Sequence, residues 1–232
     1  MFFIIREGGF KMKKKSLLEK VICTCLVTSL FIVPTSAGAS TNEDTIKAEQ
    51  QEVYSQAYTD AEWDKARQKP VMADKSVAKD GIVSTDSFGW YPTRNGVILV
   101  TPDAYKNLIP TGHAGIIWDG SNGKIIEALA AGVVIGNNDW NITKSECFGV
   151  TVSGLTVEQD NEASNYCKKR IYSPYNYNYM YPWTRMSFYC SQLVYAAFLD
   201  KYDVNLDTVA YLQAVHPMEL VNTSKTYTIY EK

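Results

Sequence analysis

The chain has 232 residues, 46% hydrophobic and 21% charged, so it can build a core and is not a disordered polymer. Its net charge is −2, which leaves no basic surplus for a phosphate backbone and excludes a dedicated nucleic-acid binder. Only two histidines, His113 and His216, are available to any mechanism that uses an imidazole.

Lys11, Lys13, Lys14 and Lys15 precede an apolar run from Val21 to Val33, followed by Pro34 and Ala37-Gly38-Ala39. Charge, apolar run and small-residue box, in that order, predict a secretory signal peptide over 1–39, cut after Ala39. The run is short of the roughly 20 residues a membrane-spanning helix needs. Cys23 and Cys25 lie inside the run, not after the box, which speaks against a lipoprotein. Residues 1–39 hold six basic and two acidic side chains, so the mature chain carries −6 over 193 residues. An exported, mildly acidic protein with no stable membrane span is the expectation.

Residues 40–88 are expected to form a helical N-terminal arm and linker. Val53, Ala57, Ala61 and Trp63 recur at near-helical spacing until Pro70 ends the pattern. A packing arm and a removable pro-segment both fit that pattern. From 89 to 232 the texture is that of a catalytic-size domain. Val97–Val100, His113–Trp118, Lys124–Ala128, Val133–Gly136 and Gly149–Val152 are strand candidates. Asp119-Gly120-Ser121-Asn122-Gly123 is the turn between the second and third. Thr156 caps a helix running to Arg170, and a second amphipathic helix spans Phe188 to Lys201. Clustered strands flanked by helices, without βαβ alternation, make the class α+β.

Cys190 sits at the start of that last helix. Free N–H groups and the positive end of the dipole there favour a thiolate and can hold an oxyanion. A small buried hydrophobe is the plain alternative for a lone cysteine. His113 opens a strand, and Glu127 stands on the next strand in an otherwise apolar run. If Ile117 pairs with Ile125, Gly115 faces Glu127, and His113 and Glu127 become diagonal neighbours on one face, about 7–8 Å apart. A slip of one residue would put them on opposite faces. Cys147 and Cys167 could pair in a disulfide or stay reduced; the spacing leaves both open.

Three segments in order carry a resemblance: Gly112-His113-Ala114-Gly115-Ile116-Ile117, Ile126-Glu127-Ala128, and Tyr189-Cys190-Ser191-Gln192-Leu193-Val194-Tyr195. A Pro-containing turn, His216-Pro217-Met218, follows. Together they resemble the circularly permuted branch of the NlpC/P60 (papain-like) cysteine hydrolases, the YiiX/YycO-like group. The resemblance covers about 92–222. It departs from that group where Asn95-Gly96-Val97 lacks the acidic residue usual before the first strand. It implies a permuted papain-like fold in which an antiparallel sheet packs against the helix carrying the cysteine. It also implies Cys190 as nucleophile, His113 as base, Glu127 as the residue orienting the imidazole, and an acyl-enzyme. No cofactor or metal is then needed.

The tyrosine-rich loop 172–183 precedes Cys190, and Tyr177, Tyr179 and Tyr189 are candidates to touch a peptide or peptidoglycan-derived substrate. His216 before Pro217 reads as a turn residue. The expected function is a secreted, wall-associated or free cysteine peptidase or amidase acting on cell-wall peptides. A lipid-directed thiol acyltransferase or esterase, and a non-catalytic wall- or ligand-binding domain, are the competing readings.

Overall fold

A computed structural model describes residues 56–77, 89–103 and 112–232. The sequence-predicted signal peptide lies outside them. Five α-helices and six strands, besides a short 3-10 helix (Gly120–Asn122), follow in chain order among the described residues: α1 (Gln56–Arg67), β1 (Ile98–Thr101), β2 (His113–Asp119), β3 (Lys124–Leu129), β4 (Gly132–Asn137), α2 (Trp140–Thr143), β5 (Phe148–Val152), α3 (Val157–Lys168), α4 (Cys190–Tyr202), α5 (Glu219–Asn222) and β6 (Thr226–Glu231).

The strands form one antiparallel sheet in the order β4-β3-β2-β1-β5-β6. Alternation sorts the apolar residues onto two faces. Ile98, Val100, Ala114, Ile116, Ile126 and Ala128 belong to the larger core, with Leu193, Val194, Ala197 and Phe198 of α4. Val97, Leu99, Ile117 and Ile125 turn the other way, toward Trp140, Cys147, Ile229 and Tyr230. Burial on both sides is why the central strands read as continuous apolar runs. β6 had no counterpart in the sequence reading. Its Thr-Tyr-Thr-Ile-Tyr stretch is rich in strand formers, and pairing with β5 makes it a strand.

Thr156 caps α3 as expected: its hydroxyl accepts from the Gln159 N–H while Gln159 reaches back to the Thr156 N–H. α4 begins at Cys190, two residues later than the predicted helix, because Tyr189 is still extended (φ −90°, ψ 171°).

Residues 56–77 lie against the sheet domain. Trp63 is buried, stacked on Phe148 at 5.9 Å and edge-on to His216 at 6.2 Å. Arg67 forks onto Glu146, and Lys69 donates to the Val221 and Thr223 carbonyls. The Met72 N–H donates to the Thr228 carbonyl at 2.8 Å. Arg94 joins Asp74 to the fully buried Asp160, which Lys75 also reaches at 3.0 Å. Thr151 donates to the same carboxylate oxygen.

Cys147, Cys167 and Cys190 are all free thiols. Cys147 belongs to the smaller core cluster and Cys167 to the larger, so the Cys147–Cys167 bridge that the sequence left open is not formed.

Candidate active site

The register is the one that brings His113 and Glu127 together. Ile117 pairs with Ile125 and Gly115 with Glu127. His113 is the first residue of β2, opposite Thr101 of β1. Gly112 before it has φ +142°, and a Cβ there would meet the Thr101 carbonyl at 2.9 Å and the Trp63 ring at 3.0 Å. Glycine is therefore what lets the chain enter β2 at this point.

His113 Nε2 lies 2.6 Å from Glu127 Oε2. The ring is 3% exposed and Glu127 is 9% exposed, so the pair is screened little by water. Trp140, first residue of the short helix α2, packs its indole on the imidazole at 5.4 Å with 31° between planes. The sequence reading missed Trp140 in this role; a lone tryptophan after a strand carries no signal for it.

Cys190 is buried at the first position of α4, close enough to His113 for the two side chains to interact electrostatically. The imidazole thus interacts with both the carboxylate and the thiol, although Cys190 and His113 lie far apart in the sequence. Burial pushes the His113 imidazole down. Hydrogen bonds with Cys190 and Glu127, and their negative charge, override that and carry it up to about 9. With Nε2 turned to Glu127, Nδ1 is the nitrogen left to exchange a proton with the sulfur.

The start of α4 is held by buried polar groups. Gln192 is fully buried; its carbonyl accepts from the Tyr189 N–H and from Asn176 Nδ2, both at 3.0 Å. Its amide donates to the Pro182 and Thr184 carbonyls. One side chain therefore ties the tyrosine-rich loop to the turn that carries the thiol. Ser191 Oγ donates to the Val215 carbonyl at 2.6 Å, and the Val215 N–H donates to the Tyr189 hydroxyl at 3.0 Å.

The three tyrosines expected on the substrate side separate. Tyr177 is 61% exposed. Tyr179 is buried, and burial, with the Cys190 charge adding to it, pushes its phenol up to about 12. Tyr189 is fully buried, its hydroxyl donating to the Tyr179 carbonyl at 3.2 Å. The rings run as a ladder, Tyr177 on Tyr175 at 4.9 Å, Tyr175 on Tyr179 at 6.4 Å, Tyr179 on Tyr189 at 5.3 Å. Tyr181 and Trp183, each about half exposed, lie 6.2 Å apart farther along the loop.

His216 is fully buried. It stacks on Tyr211 at 4.3 Å, and its Nδ1 accepts from the Met218 N–H at 3.2 Å, in keeping with a turn residue. Among the described residues no group of three or more His, Cys, Asp or Glu could hold a metal ion.

The family model for permuted papain-like amidase enzymes (YaeF/YiiX, C92 family) matches residues 106–225. It is a different family from NlpC/P60 itself; the YiiX-like permuted group is the part of the sequence resemblance that stands. Among solved structures the chain is similar to the metalloprotein YiiX of Escherichia coli O157:H7. The TM-score is 0.50 at 16% identity, over 62% of this chain and 99% of that one. At that identity the likeness speaks to the fold. No curated protein matches.

Proposed function

The chain belongs to the YaeF/YiiX family of permuted papain-like amidases, and from that premise we propose a Cys190–His113–Glu127 hydrolase of peptide amide bonds, acting outside the cell on wall peptides. Membership makes it a papain-like cysteine hydrolase of amides. The observation that carries the finer reading is the buried set of thiol, imidazole and carboxylate, with the thiol on the first residue of a 13-residue helix.

Each group has a chemical task. Glu127 fixes the ring through Nε2 and favours its charged form. His113 takes the thiol proton, and the Cys190 sulfur attacks the amide carbonyl, forming a C–S bond. The first-turn N–H groups of α4 have no intrahelical partner and face the negative oxygen that develops. His113 returns its proton to the leaving nitrogen as the C–N bond breaks. Water, deprotonated by the same ring, then cleaves the thioester and regenerates the thiol. In this reading Tyr177, the exposed one of the three, is the tyrosine offered to substrate, while Tyr179 and Tyr189 pack together at the start of α4.

The basic, apolar and small-residue order of residues 11–39 supports an exported protein. Among the described residues, no helix is long and apolar enough to cross a membrane. The deciding experiment is digestion of muropeptides, synthetic wall peptides and acyl esters with the mature protein and its Cys190→Ser variant, read by mass spectrometry. Cleavage of amides lost in Cys190→Ser is the expected result. Turnover of esters alone, or amide cleavage that survives the substitution, refutes the proposal.

A further inference from the structure

We propose that Gly136, on strand β4, is a positioning residue for the His113–Glu127 pair: the side chain it lacks is the space in which the Glu127 carboxylate lies. The inference rests on the triad reading above.

β3 and β4 pair with Ile125 opposite Gly136 and Glu127 opposite Val134. Position 136 is therefore the diagonal neighbour of Glu127 on the same face. A Cβ built at 136 would stand 2.0 Å from Glu127 Oε1 and 2.9 Å from its Cδ, with Ile125 Cγ1 at 3.1 Å. No carbon and oxygen can share that distance, so one of them must move. Glu127 is long and rotates easily, and its far end is what yields.

The backbone does not demand glycine here. Gly136 is absent from the positive-φ glycines and sits in plain strand between exposed Ile135 and Asn137, at the edge of the sheet. Glycine inside a strand otherwise weakens it, so alanine should cost the fold little. The imidazole cannot follow a displaced carboxylate freely. Its Nε2 is bonded to Glu127 Oε2, Trp140 covers the ring, and Cys190 engages it as well. Interactions with Glu127 and Cys190 raise the proton affinity of the buried ring against desolvation. Moving one away lowers the ring's proton affinity.

The test uses the mature protein, Gly136→Ala, Glu127→Ala and the double variant. The chain has two histidines, so ring-proton NMR shows two signals, and His113→Gln identifies which is which. The His113 midpoint in the parent protein is expected near 9. Glu127→Ala should lower it by about one pH unit or more, a tenfold loss of proton affinity per unit. Gly136→Ala should lower it in the same direction, and the double variant no further than Glu127→Ala alone. The Gly136→Ala melting temperature should stay within about 3 °C of the parent, the range of a change near 1 kcal/mol in a domain of this size. A parental His113 midpoint in Gly136→Ala beside a lowered one in Glu127→Ala overturns the role of Gly136 and leaves the triad standing. A further drop in the double variant also overturns it, because Gly136 would then act by another route. So does failure of Gly136→Ala to fold, since only a carboxylate is meant to move. No change in Glu127→Ala removes the triad reading, and this inference with it.

Discussion

Replacing Trp63 by alanine removes an indole that is 3% exposed and packed on Phe148, His216 and Gly112. An aromatic side chain of this size buries about 200 Å². At about 25 cal/mol per Å² the lost transfer energy alone is about 5 kcal/mol, as an upper bound. Core tryptophan-to-alanine changes cost about 3–5 kcal/mol, in line with that figure. For a domain of this length a loss of 1 kcal/mol lowers the melting temperature by about 2–4 °C, so the Trp63→Ala variant should melt about 10 °C lower. The effect should also reach the site. The ring abuts Gly112, directly before His113, and its loss loosens the entry to β2. Melting by circular dichroism gives the first quantity. The rate of Cys190 alkylation by iodoacetamide, measured well below both melting temperatures, gives the second. A drop of less than about 2 °C with an unchanged alkylation rate would mean that 56–77 is dispensable to the domain, as a removable pro-segment would be.

Amide hydrolysis should hold up to an alkaline limb near pH 9 and fall about tenfold per unit beyond it, because the leaving nitrogen takes its proton from a charged His113; a limb at pH 7 or below contradicts the assigned roles. Burial pushes the Glu219 carboxyl up to about 7, even with Thr208 and the His216 N–H donating to it. The folded state thus binds that proton more tightly than the unfolded chain. The stability contributed by this group should be full below about 4.5 and be lost as pH rises through 7, by linkage; denaturant titrations at pH 5 and 8 measure this, and Glu219→Gln should flatten the difference. Gln192→Ala leaves the Pro182 and Thr184 carbonyls and the Tyr189 N–H without that partner. Its expected cost is about 2–4 kcal/mol, with a drop in turnover larger than the loss of folded protein; parental turnover would show that loop and nucleophile are not coupled through this side chain. Burial pushes the Cys147 thiol up to about 12 and Cys167 higher still. Mass spectrometry of briefly alkylated native protein should therefore find label on Cys190 first; equal labelling of all three would show that Cys190 has no special reactivity.

Much of the fold was legible because it depends on local periodicity. Short apolar runs bounded by turn residues mark β1 to β5, the Asp119–Gly123 turn sets the β2–β3 register, and Thr156 marks the start of α3. That register alone placed His113 beside Glu127, since only one parity puts both on the same face. The helix start likewise pointed to Cys190, because unpaired N–H groups are a property of the helix end and need no partner elsewhere.

What the sequence could not decide is which distant surfaces meet. His113 and Cys190 are joined by packing of α4 on the central strands, and nothing local encodes that contact. Insertion of β1 between β2 and β5, and the pairing of β6, are long-range choices made by burial of both sheet faces. The same holds for Trp140 over the imidazole and for the empty space at Gly136, which carry no pattern of their own. Tyr189 looked like a substrate contact from its place beside the thiol. Tertiary packing buries it, since strand and helix ends turn neighbouring side chains in different directions. Local spacing determined the elements and one edge of the site; the assembled core decided which of the chemically capable residues face one another.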